Sequence, residues 1–166
     1  MKSLRKTRCL LSMLAALTLA GCAGVPPVPG ETLDTVKAKL GQPTAIYRLP
    51  EETRLEYGTG PFGQSTYMAH IGPDGRLTSY EQVLTGEKFA TIKIGSATKE
   101  EVLHTLGRPA ETSYLALPKL EVWSYRYKQS GVWDSMMHVH FDVKGFVRMM
   151  QNGPDRDKEE RRSFFR

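Results

Sequence analysis

The chain carries two versions of one pattern. Leu40-Gly41-Gln42-Pro43 returns as Leu106-Gly107-Arg108-Pro109, and Thr32 and Val36 return as Thr98 and Val102, all at an offset of 66. Leu49-Pro50, Leu55 and Tyr57 return as Leu117-Pro118, Trp123 and Tyr125 at 68, and His70 and Gly75 as His140 and Gly145 at 70. The offset changes only between blocks, as it does when loops lengthen and elements keep their length. Self-similarity of this kind makes the fold two copies of one small supersecondary unit, with either one core or two small ones sharing an interface.

Each version has the same local logic. Thr98 caps a helix, Glu101 stands at the capping-box spacing, and Val102, Leu103 and Leu106 form the apolar stripe. Gly107 and Pro109 stop the helix. In the first version Thr32 caps, Leu33, Val36 and Leu40 form the stripe, and Gly41 and Pro43 end it. A further helical turn or two is expected within Thr85–Lys93. Strands follow. Trp123, Tyr125 and Tyr127 alternate with Val122, Ser124 and Arg126, and Met137, Val139, Phe141 and Val143 alternate with Met136, His138, His140 and Asp142. This period of two predicts half-buried antiparallel strands with the aromatic stripe inward. A third strand, Phe146–Met150, follows the Lys144-Gly145 turn. The first version offers Arg54–Tyr57, Tyr67–Ile71, a Pro73-Asp74-Gly75 turn and Leu77–Val83. The expected class is α+β: two tandem units, each with short helices followed by a three-stranded antiparallel sheet.

The chain opens with Lys2, Arg5, Lys6 and Arg8, then an apolar run from Cys9 to Leu19, then Leu19-Ala20-Gly21-Cys22. A basic region, a short apolar region and small residues before a cut describe a secretory signal peptide. The run is shorter than the roughly 20 residues that span a bilayer. Its ending resembles the bacterial lipobox, which implies lipidation of Cys22, cleavage before it and acylation of the new amino group. Several acyl chains hold a protein on a membrane where one does so only marginally. By resemblance to sorted lipoproteins, Ala23 in place of an acidic residue implies the outer membrane, with the domain in the periplasm. The formal charge of +5 falls to +1 when the four cations of the leader depart, which argues against a nucleic-acid surface. Cys9 leaves too, so no disulfide is available and stability rests on a packed core. The organisation read from this is a signal peptide at 1–21, a lipidated proline-rich tether at 22–30, a first repeat at 31–83 and a second at 84–152. A charged flexible tail follows at 153–166, helical at most around Asp157–Arg162.

Ile94-Gly95-x-x-Thr98-x-x-x-Val102-x-x-x-Leu106-Gly107-x-Pro109, then Trp123-x-Tyr125, then Phe141-Asp142-x-x-Gly145, resembles the SmpA/OmlA (BamE-like) domain of small outer-membrane lipoproteins. The resemblance covers residues 84–152 well and 30–83 more weakly. It implies a non-enzymatic outer-membrane lipoprotein, an accessory of outer-membrane protein assembly or envelope integrity. Its partners would be outer-membrane lipid, through acylated Cys22, and an envelope protein, with the β-barrel assembly machinery the first candidate. The two-copy arrangement also resembles the β-lactamase inhibitory protein family, which implies a tethered protein-binding or inhibitor module as the alternative.

Candidate chemistry is sparse. His138-x-His140, with Asp142 continuing the same strand face, is the one metal-like spacing. Met68 stands at the first-version position of His138, which fits a solvated sheet face better than a ligand pair. No nucleophile elbow and no glycine-rich phosphate loop occurs. No catalytic residue, cofactor or metal site is therefore assigned. Phe62 and Trp133 fall at comparable places, each in a glycine-containing loop between two strands of its copy. An apolar ring on a loop tip is a common partner anchor, so both are candidate partner-binding residues.

Overall fold

The computed structural model describes the backbone of residues 25–164 and the side chains of residues 25–160. The signal peptide and Cys22 lie outside the described residues. The elements run α1 (Leu33–Leu40), β1 (Ala45–Arg48), β2 (Thr53–Gly58), β3 (Thr66–Ile71), β4 (Leu77–Gln82), α2 (Gly86–Ala90), α3 (Lys99–Leu106), β5 (Glu111–Leu115), β6 (Leu120–Gln129), β7 (Trp133–Phe141), β8 (Val147–Pro154) and α4 (Arg156–Phe164). Strands β1–β4 form one antiparallel meander and β5–β8 another.

The expected α+β class with a three-stranded sheet per unit is corrected. The described residues are mostly β, two four-stranded antiparallel sheets joined by short helices. The strands that the pattern missed are β1 and β5, the first of each sheet. β1 has only four residues, and all five residues of β5 are exposed. A strand with no buried side leaves no period-two signal.

Two cores organise the molecule. The smaller one places Val36 of α1 against Leu55, Ala69, Ile71 and Leu77 on one face of the first sheet. The larger one lies between the two sheets. Met68, Val83 and Leu84 from the first half meet Phe89, Val102 and Leu106 of the connecting helices and Tyr125, Val139, Phe141 and Val147 of the second sheet. Helix α3 thus has a sheet on either side. Arg54 Nη1 donates to the His104 carbonyl at 2.7 Å, and Glu56 accepts from the Arg108 N–H at 3.2 Å. Each fully buried large apolar side chain contributes about 1.5–3 kcal/mol, so the larger core dominates the packing energy.

The sequence stops and starts are observed where expected. Thr32 and Thr98 cap their helices, and Thr98 with Glu101 forms both bonds of a capping box. The proposed turn or two within Thr85–Lys93 is α2. The segment read as a flexible tail is largely structured: Gly153 and Pro154 belong to β8, Asp155 is fully buried, and a helix runs from Arg156 to Phe164.

Candidate functional site

The two candidate anchors come together at one end of the molecule. Phe62 sits in the β2–β3 loop and is 58% exposed. Trp133 is 66% exposed and is the first residue of β7, where it faces Gln129; the loop expected to carry it is only Ser130–Val132. Positive φ at Ser130 and Gly131 lets three residues close that turn. Val132 beside it is also exposed. Gln64 Nε2 donates to Asp134 Oδ1 at 2.7 Å, which ties the loop of one sheet to the hairpin of the other. Phe62 also lies 5.8 Å from the guanidinium of Arg126. Three apolar side chains from two halves of the chain therefore project from one hydrogen-bonded end.

Behind Phe62 is a buried charge cluster that the sequence pattern did not disclose. Arg126 lies on the face of β6 opposite the aromatic stripe and is 2% exposed. It pairs with fully buried Asp155, with Glu111, and with Asp157 at 2.6 Å. Burial alone would lower the guanidinium pKa, but the bonds to Asp155, Asp157 and Glu111 outweigh it and raise it. The cluster pins the start of α4 onto the second sheet. The one available sequence signal was that Arg126 stands where the first version has Gly58.

A second buried charge joins the halves. Glu56 accepts from the Tyr47 hydroxyl, the Thr44 hydroxyl and the Arg108 backbone. Burial, with this carboxylate beside it, pushes the Tyr47 hydroxyl pKa up.

His140 is not solvated, in contrast to the expectation from its alternation, while His138 is half-buried. His140 is 6% exposed, and neither ring nitrogen has a hydrogen-bond partner among the described residues. His138 Nδ1 lies 2.8 Å from Ser124 Oγ. Burial lowers both imidazole pKa values, and at His140 the neighbouring His138 adds to it. Asp142 is taken by its turn: it accepts from Lys144 N, Phe146 N and Arg148 Nε. Among the described residues no three His, Cys, Asp or Glu side chains gather as a metal site.

No protein-family model matches the chain, and no curated protein matches it. Among solved structures the chain is similar to the crystal structure of a DUF4309 family protein (YjgB) from Bacillus subtilis. That likeness has 15% identity and a TM-score of 0.33, over 75% of this chain and 79% of that one. At that score the fold is read from the chain's own two sheets.

Proposed function

We propose that the protein is a non-enzymatic lipoprotein of the outer membrane that docks on an envelope protein through the end bearing Phe62, Val132 and Trp133. Support for the anchor is the series of leader cations, apolar run and Leu19-Ala20-Gly21-Cys22. The observation that carries the docking reading is the Gln64–Asp134 bond, which ties the loop of exposed Phe62 to the hairpin of exposed Val132 and Trp133. A preorganised patch loses less entropy on binding than two independent loops. The resemblance to SmpA/OmlA domains makes the β-barrel assembly machinery the first partner to seek.

Affinity recovery from solubilised outer membranes tests this. Trp133→Ala reduces partner recovery about tenfold or more, the scale of a hot-spot ring, and leaves the thermal midpoint nearly unchanged. A large drop in midpoint with recovery intact contradicts the docking role. A soluble periplasmic enzyme as the captured protein would instead favour the inhibitor module.

A further inference from the structure

The two halves place different chemistry in equivalent space. In the first half, Met68, Val83 and Leu84 sit with Phe89 in the large core. At the same offsets in the second half stand His138, Gly153, Pro154 and Glu159, and Arg126 replaces Gly58. The register agrees: Met68 faces Glu56 as His138 faces Ser124, and Ile71 faces Leu77 as Phe141 faces Val147. A space that is apolar and filled in one half is polar and open in the other. It is a cleft of about 570 Å³ between the second sheet and the start of α4, within the usual range of small-molecule sites.

Its lining defines the ligand. Half-exposed Glu111 and Asp157 offer carboxylate oxygens beyond their bonds to buried Arg126, Arg156 a guanidinium, and His138 and Gln151 an imidazole and an amide. The formal charges on this wall balance, so neither an anion nor a cation is selected. Donors and acceptors are interleaved over a short distance, which suits a ligand whose polar atoms each donate and accept. Hydroxyl groups do this. Met136 and Pro154 supply an apolar strip for the carbon face of such a ligand. Arg126 is almost wholly buried, and its Nε–H has no acceptor among the described residues. That nitrogen is sealed from the cleft, so the polar groups a ligand meets are exposed Gln151 and Arg156 and the half-exposed carboxylates of Glu111 and Asp157.

We infer that the cleft between β6–β8 and the start of α4 is a binding site for a neutral saccharide. This inference does not depend on the docking reading, although Phe62 lies 5.8 Å from the Arg126 guanidinium of this wall. Titration calorimetry on the full chain, held in lauryldimethylamine oxide to keep sugar detergents away, tests it. The probes are maltose, lactose and N,N′-diacetylchitobiose, with triglycine and sodium phosphate as comparators. At least one disaccharide is expected to bind saturably. Gln151→Leu and Arg156→Met, both at exposed positions, are each expected to weaken it about tenfold while the melting temperature holds. The inference is overturned if no disaccharide binds, if triglycine or phosphate binds more tightly, or if neither substitution weakens binding.

Discussion

Arg126 is the residue on which the second sheet's far face depends. Its removal would leave Asp155, which is fully buried, as an uncompensated charge. Arg126→Leu is expected to cost about 3–5 kcal/mol, the range for breaking a buried pair from one side. Glu111→Ala removes a half-exposed partner and should cost ~1 kcal/mol or less. Chemical denaturation of the two variants checks the order, and equal losses would contradict it. The histidines give a second residue-level outcome. Both have folded pKa values below the ordinary 6.5, so the unfolded chain binds protons first as pH falls. Stability is therefore full above about 6.5 and declines as pH drops from there toward the folded values. Carboxylates act lower. Lys99 holds Glu121 below the ordinary 4.5, so its contribution is present above that value and is lost beneath it. His140→Asn is expected to flatten the upper part of the pH–stability curve and leave the lower part. An unchanged slope between 6.5 and 4.5 would contradict the assignment.

At the scale of elements, the legible parts were those with local chemistry. Thr32, Thr98 and Glu101 announce helix starts, Gly41 and Gly107 announce stops, and the stripe Trp123, Tyr125, Tyr127 announces an inward face. Tyr125 and Tyr127 are buried, with Trp123 packed partly buried at the edge. The parts that were not legible depend on tertiary partners. Strand β5 is ordered by β6 and buries nothing of its own. Met136, His140 and Arg126 looked outward by alternation but are buried; at Arg126 the carboxylates of Glu111, Asp155 and Asp157 converge on that face. Of the candidate site, Phe62 lies in the loop expected of it and Trp133 opens a strand instead; the Gln64–Asp134 bond that joins the two places was not legible, since the residues are far apart in sequence. The caps are directly testable. Thr98→Ala is expected to cost ~1 kcal/mol. Gly107→Ala should cost more, because φ there is +78° and an added Cβ would stand 2.9 Å from the Glu56 carboxyl carbon. Thermal melts of both variants decide it, and a neutral Gly107→Ala would contradict the close approach.

For the whole molecule, the internal repetition produces layers in which helix α3 serves both sheets. Arg54 and Glu56 of the first half also bond the His104 carbonyl and the Arg108 N–H of the second, and Met68 shares a core with Leu106. The Gln64–Asp134 bond ties the β2–β3 loop to the β6–β7 hairpin, and Phe62, Val132 and Trp133 stand exposed at that end. The central claim is that this patch meets a protein partner while Cys22 holds the chain on the membrane. Photo-crosslinking from a benzoylphenylalanine placed at Trp133, in intact outer membranes, tests it most directly, with the still more exposed Val143 position as reference. The account predicts a discrete protein adduct from position 133, absent from position 143 and lost when Cys22→Ala removes the anchor. Adducts of equal yield from both positions, or none from position 133, would contradict it.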